Sequence, residues 1–188
     1  MINIELILPR IEFALNNHYG VGAKLIEGKK LYLVIGEASR QELRPCAVSF
    51  NANAWFGSRS IKSDLISADR ELVIEIKCLR SGDENKGTKL SEIRNGVLQV
   101  VEFANAENIK CAMLMIIDQW DLQKSRHKFV LTAGEKNLCK CIRQVMIGEL
   151  FYVVHFYIES AIGSWVYKVW RYEKSKGDDA IKENGNEN

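Results

Sequence analysis

Apolar residues recur along the chain with two periods, and the first to appear is helical. Near the N-terminus a spacing of three and four residues predicts an amphipathic helix, in which Pro9 lies near the start or at a kink. The apolar positions of this helix are Ile4, Leu8, Ile11 and Leu15. Glu5 and Glu12 are seven positions apart and therefore share one flank of the predicted helix.

Short apolar runs typical of strands follow this helix. We predict strands at Lys29–Ile35 and Pro45–Phe50, joined by a polar loop around Glu37–Arg44. The next segment, Asn51–Ser60, mixes Asn, Gly and Ser with two aromatic residues, and we interpret it as an exposed loop.

A hairpin, a helix and a buried strand are predicted next. Residues Asp64–Lys77 contain two apolar strands around a polar turn at Asp69-Arg70. Leu90–Ala104 carries an apolar stripe at helical spacing, and Lys110–Ile117 is an uninterrupted apolar run, which is typical of a strand buried on both faces. Because a parallel strand pair needs a long crossover, the order strand, helix, strand predicts an α/β core.

Periodicity determines the C-terminal third less well. We predict a strand at His127–Thr132 and a helix at Glu135–Ile147, whereas Leu150–Ile158 and Trp165–Tyr172 form either a hairpin or helical segments. His155, inside an apolar run, is interpreted as a core histidine with satisfied hydrogen bonds. The chain beyond is polar and lacks aromatic residues, so we expect a single domain over 1–173 and a disordered tail over 174–188.

Composition and charge mainly exclude certain classes of protein and kinds of site. The chain has 188 residues, of which 47% are hydrophobic, and this is enough for one continuous core. The net charge of +2 does not indicate a non-specific polyanion binder. The five cysteines lack paired C-x-x-C spacing, which argues against a zinc or iron–sulfur site. No signal peptide or membrane span is recognised, so we expect a cytoplasmic protein without a membrane partner.

Three charged residues interrupt the otherwise apolar hairpin. With a turn at Asp69-Arg70, antiparallel pairing places Asp64 directly opposite Glu75, and alternation of side chains puts Lys77 on the same face. Two opposed carboxylates are destabilising unless a cation lies between them. We therefore predict a site for Mg²⁺, a hard ion that binds carboxylates and substrate phosphate, and with it phosphodiester hydrolysis.

The same residues resemble a known superfamily. Asp64 is followed, after ten intervening residues, by Glu75-Ile76-Lys77 at the end of an apolar strand, and this resembles the PD-(D/E)XK nucleases, which include restriction endonucleases, Holliday-junction resolvases and repair nucleases. The order of elements from about Ile4 to Ile117 is similar to that family's core. The resemblance implies an α/β fold with a restriction-endonuclease-like core, a central mixed β-sheet flanked by helices, and extra C-terminal strands or a helix. Ser63 replaces the name-giving proline, and the chain after Asp118 has no counterpart.

The resemblance also implies roles for individual residues. Asp64 and Glu75 are predicted to hold Mg²⁺, with Mn²⁺ as a substitute, and Lys77 is predicted to be the catalytic lysine. Family members place an acidic residue on the first helix and a polar residue on the helix after the motif strand. Glu12 is accordingly predicted as a further metal ligand and Gln99 as a further catalytic residue.

Basic residues near the hairpin predict contacts with DNA. Cations suited to phosphate and aromatic rings suited to base stacking occur together before Asp64. The predicted DNA-binding residues are Arg44, Arg59, Lys62 and Lys89. A solvated basic loop with one aromatic anchor in the core is the alternative interpretation. The aromatic C-terminal segment is either core or a surface that joins two copies in a two-fold dimer, because cutting both strands of a duplex requires two sites.

The sequence thus predicts a metal-dependent DNA endonuclease of restriction, recombination or repair. Three alternatives stay open. In the first, the chain is a non-catalytic nucleic-acid-binding or assembly subunit of a larger complex that keeps the nuclease fold. In the second, it is a structural α/β protein in which Asp64 and Glu75 do not face each other. In the third, Glu75 and Lys77 form a solvent-facing ion pair that contributes little.

Overall fold

The computed structural model describes residues 3–20, 29–39, 43–45, 52–56, 59–67, 69–79, 86–121, 150–159 and 161–173. Three helices and eight strands lie within these ranges. The helices are α1 (Ile4–His18), α2 (Lys29–Ala38) and α3 (Lys86–Ala106). The strands are β1 (Leu43–Pro45), β2 (Ala52–Phe56), β3 (Arg59–Ser63), β4 (Leu65–Ser67), β5 (Leu72–Leu79), β6 (Cys111–Asp121), β7 (Leu150–Glu159) and β8 (Ser164–Glu173).

Six of these strands form one mixed sheet in the order β1-β4-β5-β6-β7-β8. Strands β5, β6 and β7 are parallel, whereas β1, β4 and β8 pair antiparallel with their neighbours. Strands β2 and β3 form a separate antiparallel hairpin. The prediction of an α/β fold with a central mixed sheet is confirmed, as is the parallel strand that follows a helical crossover.

Helices cover both faces of the sheet, and alternation along β5 separates the two cores. Ile74 and Ile76 belong to the cluster that contains the buried residues of α1 and α2. Val73 and Leu79 belong to the cluster that contains the buried residues of α3. The odd-numbered residues of β5 therefore face α3, and the even-numbered residues face α1 and α2.

The predicted first helix is present as α1, and it begins at Ile4, so Pro9 lies inside the helix and not near its start. The side chain of Asn3 accepts a hydrogen bond from the main-chain N–H of Glu5 (3.1 Å), which satisfies one of the orphan donors of the first turn. The buried residues of the helix are Ile4, Ile7, Leu8, Ile11 and Leu15. This stripe is the predicted one with Ile7 added.

The far end of α1 is attached to the outer edge of β8. Asn16 Nδ2 donates to the carbonyl oxygen of Trp165 (3.2 Å), and Trp165 N donates to Asn16 Oδ1 (2.8 Å). The indole Nε1 of Trp165 donates to the carbonyl oxygen of Tyr19 (2.6 Å). The side-chain amide of Asn16 thus forms the same pair of hydrogen bonds with the main chain of Trp165 that a residue of an adjacent antiparallel strand would form.

The prediction of a strand at Lys29–Ile35 is wrong, because these residues begin helix α2. Leu31 and Ile35, four positions apart, are fully buried, whereas Leu33 between them is 41% exposed. This is helical spacing, but apolar residues that occupy every position around the helix hide it in the sequence. The predicted loop around Glu37–Arg44 correspondingly begins inside the helix.

The prediction of an exposed loop at Asn51–Ser60 is also wrong, because β2 and β3 form a hairpin there. Phe56 pairs with Arg59, so only Gly57 and Ser58 lie between the paired ends. A two-residue connection that starts with glycine is a strong hairpin signal, and the polar composition of the segment conceals it. Of the strand predicted at Pro45–Phe50, only its first residue lies in a described strand, β1.

The C-terminal ambiguity is resolved in favour of a hairpin. Strands β7 and β8 pair antiparallel from Leu150 with Glu173 to Glu159 with Ser164. The strand predicted at His127–Thr132, the helix predicted at Glu135–Ile147 and the tail at 174–188 lie outside the described residues. None of the helices in the described ranges is long and apolar enough to cross a membrane.

Candidate functional site

The hairpin of β4 and β5 has the predicted register. Leu65 pairs with Ile74, and Ile66 pairs with Val73, so the residue before Leu65 lies in register with Glu75. The turn is wider than two residues, since Ser67 Oγ accepts hydrogen bonds from Leu72 N (2.9 Å) and Glu71 N (3.0 Å). The hydroxyl of Ser67 therefore closes the turn without changing the alignment of the charged residues.

Asp64 lies at a bend between β3 and β4 and is half-buried. Its Oδ2 atom accepts a hydrogen bond from the main-chain N–H of Ile76 (2.8 Å). The preceding residue, Ser63, is buried and donates from Oγ to the carbonyl oxygen of Ile74 (2.9 Å). These two bonds fix the carboxylate of Asp64 against the β5 main chain between Glu75 and Lys77.

Glu75 and Lys77 form an ion pair on the face of the sheet that α3 covers. Lys77 Nζ donates to Glu75 Oε1 at 2.7 Å, and the two side chains are 16% and 2% exposed. Burial of a lone carboxylate costs several kcal/mol, so the ammonium of Lys77 compensates the charge that the fold takes out of water. The interpretation of a solvent-facing surface pair is therefore wrong.

Helix α3 covers this pair and is tied to the hairpin. Gly96 lies directly over Lys77. One turn later, Gln99 Nε2 donates to the carbonyl oxygen of Lys62 (2.9 Å), two residues before Asp64 in the chain. The structure thus brings Gln99 to the strand that leads into Asp64, and its amide nitrogen is used to hold α3 against β3.

Glu12 lies elsewhere, and the structure does not bring it together with Asp64 and Glu75. It belongs to α1, which packs on the opposite face of the sheet from Lys77. Helix α1 packs against β8, which is three strands from β5. Burial, followed by the charges of Glu12 and Glu5, raises the pKa of Tyr167 on β8. Burial also raises the pKa of the Glu12 carboxyl. This position gives no support to Glu12 as a third metal ligand beside Asp64 and Glu75, and that role stays a prediction.

The predicted DNA-binding residues belong to elements around the hairpin. Arg44 lies on β1, which pairs with β4, and Arg59 begins β3. Lys62 follows on β3, with an exposed side chain, and Lys89 is in the first turn of α3. Whether these residues bind DNA stays a prediction.

A second buried pair, Asp118 with His155, was not predicted as part of a site. Their Oδ2 and Nε2 atoms are 3.2 Å apart, and both side chains are 2% exposed. They lie on β6 and β7 on the α3 face, by the same alternation that places Leu114 and Val153 in the α3 cluster. Asp118 ends an apolar run, which is the one sequence signal for it, and its contact confirms the interpretation of His155 as a satisfied core histidine.

Two of the three residues predicted to hold Mg²⁺, Asp64 and Glu75, belong to the same part of the β4–β5 hairpin. Within the described ranges, no group of three or more His, Cys, Asp and Glu side chains is arranged to hold a metal ion. Asp64 and Glu75 supply hard oxygen donors, and two carboxylates suit Mg²⁺ because the ion retains several waters and binds substrate oxygens. The donor set therefore fits Mg²⁺ in kind, with two carboxylates as its protein contribution.

The described cysteines have no part in this site. Neither Cys78 nor Cys111 forms a disulfide with another described residue. Burial raises the pKa of the Cys111 thiol to about 12, so the thiolate that would bind a metal or act as a nucleophile is not formed near neutral pH.

Comparisons with known proteins leave the family open. No family model matches the chain, and no curated protein matches it. Among solved structures, the central domain of yeast acetyl-CoA carboxylase is similar over 75% of this chain and 25% of that chain, with 11% identity and a TM-score of 0.34. SfsA of Pyrococcus furiosus, in complex with Ca²⁺, is similar over 73% of this chain and 60% of that chain, with 14% identity and a TM-score of 0.30. At these scores neither likeness decides the fold family or the function.

Proposed function

We propose that the chain is a metal-dependent nuclease with a PD-(D/E)XK-type site and a restriction-endonuclease-like core, which hydrolyses phosphodiester bonds of DNA. The observation that carries the proposal is the buried Glu75–Lys77 pair beside a carboxylate, Asp64, that is bound to the main chain between them. The order α1, β4–β5 hairpin, α3 and parallel β6 supports the same family core.

In this proposal each charged residue has a distinct task. Asp64 and Glu75 hold Mg²⁺, which when bound lowers the pKa of a water and polarises the phosphate. Lys77 offsets the negative charge that develops on the phosphate oxygens in the transition state. In this structure the ammonium of Lys77 donates to Glu75. It becomes available to substrate when another cation compensates the charge of Glu75. Gln99 holds α3 against the strand that carries Asp64 into place.

The direct test is cleavage of supercoiled plasmid and labelled duplexes with Mg²⁺ or Mn²⁺, with wild type beside Asp64→Asn. Asparagine keeps an oxygen that accepts the hydrogen bond from Ile76 N–H but removes the charge that a metal needs. We expect metal-dependent cutting to fall by about 100-fold or more, with unchanged thermal unfolding.

The hairpin supplies a matched control in Asp69→Asn. Asp69 is also hydrogen-bonded within the hairpin, through Glu71 N (3.1 Å) and Ser67 Oγ (2.5 Å), but it lies at the opposite end. We expect this variant to cut as wild type does. Equal cutting by Asp64→Asn and wild type would refute the assignment of the site.

One observation favours the second candidate, a binding or assembly subunit without catalysis. Glu75 is 1% exposed and its Oε1 atom is paired with Lys77, so the two charges compensate each other inside the fold as those of a structural pair do. This candidate predicts binding of DNA or of a partner protein with no metal-dependent turnover by wild type. Failure to cut any of several duplex, branched and single-stranded substrates, together with retained binding, selects it.

The two-fold dimer stays a prediction. Strand β8 is the last strand in the described order of the sheet, and two of its four aromatic residues, Tyr167 and Trp170, are only half-buried. These features support β8 as the place where two copies join, which would supply the two sites that cutting a duplex requires. Sedimentation at micromolar concentration tests the prediction, and a monomeric mass contradicts it.

A further inference from the structure

Gly96 is a buried residue in the middle of α3, on the face of the helix that packs on the sheet. A Cβ atom added there would lie 2.8 Å from Leu114 Cδ1 and 3.1 Å from both Cγ and Cε of Lys77. Carbon atoms in contact are normally about 3.5–4.0 Å apart. A side chain at this position would therefore force Leu114 and Lys77 to shift, whereas glycine lets α3 and both side chains keep their present positions on β5 and β6.

The Lys77 side chain passes directly beneath this glycine. Its Cγ and Cε atoms, which have Cδ between them, are equally close to the position of the added Cβ. The aliphatic part of the lysine therefore lies along the helix surface instead of pointing into it. Its end is fixed as well, since Nζ lies 2.7 Å from Glu75 Oε1. The helix backbone and the carboxylate together confine a side chain that is otherwise among the most flexible.

Glycine in the interior of a helix weakens that helix, because it gains conformational freedom in the unfolded chain and contributes no side chain. Here the cost is offset locally by the close approach to Leu114 and Lys77. The contact to Leu114 is ordinary core packing. The contact to Lys77 is different, because it determines the path of a charged side chain.

We propose that Gly96 is a positioning residue for Lys77: the space left by its absent side chain holds the lysine stem between α3 and β5 and so delivers Nζ to Glu75. The consequence for catalysis rests on the proposed nuclease function. The placement of Nζ does not, because it depends only on the contacts of Gly96, Lys77 and Glu75.

The test is Gly96→Ala, measured in two ways. In the wild-type protein, ¹⁵N-labelled lysine is expected to give a slowly exchanging ammonium signal for Lys77, assigned by its loss in Lys77→Arg and in Glu75→Gln. The alanine methyl displaces the stem, so we expect this signal to disappear. We also expect kcat of metal-dependent cleavage to fall by about 10-fold, while KM changes little.

A second variant separates positioning from packing. In Gly96→Ala/Leu114→Val the shorter valine removes the atom 2.8 Å from the new methyl, whereas both lysine contacts remain. We expect the double variant to unfold near the wild-type temperature and still lack the ammonium signal and most of the activity. Recovery of the ammonium signal and the activity in the double variant would overturn the proposal, because it would show that Gly96 matters only for packing against Leu114.

The two readouts also separate this inference from the proposed function. If wild type cuts no substrate, the nuclease proposal fails, and the ammonium signal still decides the placement of Lys77. A Gly96→Ala protein that keeps the wild-type ammonium signal overturns the positioning role whether or not the chain is a nuclease.

Discussion

Two buried pairs lie on the α3 face of the sheet, and they differ in construction. Glu75 and Lys77 are neighbours on one face of a single strand, and the lysine side chain is still 16% exposed. Asp118 and His155 join two strands, β6 and β7, and both are 2% exposed. The first pair has a path to solvent and a third charged residue, Asp64, held beside it. The second is closed within the described residues.

The difference indicates which pair is suited to chemistry. A group that takes part in a reaction must be accessible to substrate and must be able to exchange its ion-pair partner for the substrate. A pair that only stabilises the fold needs neither property. Both pairs satisfy the rule that buried charges are compensated. Burial and pairing alone therefore do not identify a site, and access together with the neighbouring carboxylate distinguishes the β5 pair from the β6–β7 pair.

The largest expected effect comes from breaking the first pair with Lys77→Met. The variant leaves the carboxylate of Glu75 buried without its ammonium, and we expect a loss of about 3 kcal/mol in the free energy of unfolding. Urea denaturation measures this loss. The double variant Glu75→Leu/Lys77→Met should recover most of the stability but no cleavage, and a stable Lys77→Met protein would contradict the assigned role of the ion pair.

A smaller effect is expected when the second pair is broken with Asp118→Leu. His155 then loses its partner in the core, and we expect a loss of about 2 kcal/mol in the same urea experiment. The double variant Asp118→Leu/His155→Phe should recover most of that stability and, in contrast to the first pair, retain metal-dependent cleavage. Loss of cleavage in this stable double variant would place Asp118 and His155 in the site.

Asp69, at the turn of the hairpin, is expected to contribute a small pH-dependent stability. Burial opposes ionisation, but hydrogen bonds from Ser67 and Glu71 outweigh it and lower the pKa of Asp69 below its ordinary value of 3.8. Because the folded pKa is the lower one, the stabilisation is present above pH 4 and is lost as the pH falls through the folded pKa. Thermal unfolding of Asp69→Asn should show a deficit at pH 7 that shrinks as the pH falls below 3.8. A deficit that does not change with pH would exclude the carboxylate as its source.

The smallest effect is expected for Glu12→Gln. Glu12 belongs to the helix on the other face of the sheet, so removal of its charge should leave both the rate and the Mg²⁺ dependence of cleavage unchanged. A titration of activity against Mg²⁺ concentration measures this. A shift to higher Mg²⁺ requirement would restore Glu12 to the metal site and contradict the placement of α1.

Parts of the site were predictable because they depend on local patterns. Alternation along Leu72–Leu79 and the turn residues before it determine which side chains share a face, and this was sufficient for the register of Asp64, Glu75 and Lys77. The apolar stripe of α3 predicted its burial in the same way. These features require only neighbours in sequence or across one hairpin.

Features that depend on distant packing were not predictable in this way. The Asp118–His155 contact requires the parallel pairing of β6 with β7, which no local pattern specifies. The face occupied by α1 decides the place of Glu12, and an amphipathic stripe does not say which face of a sheet it will cover. Helix α2 was mistaken for a strand because its exposed positions, such as Leu33, are apolar as well.

The contact of Asn16 with β8 has a consequence for the time course of folding. The two residues that it joins are 149 positions apart, and contacts of large sequence separation form slowly because a long loop must first be closed. During synthesis, α1 emerges early but gains this anchor only after Trp165 has been added. We therefore expect the first helix to be among the last elements to become fixed, and slow protection of its amides from hydrogen exchange during refolding would reveal this order.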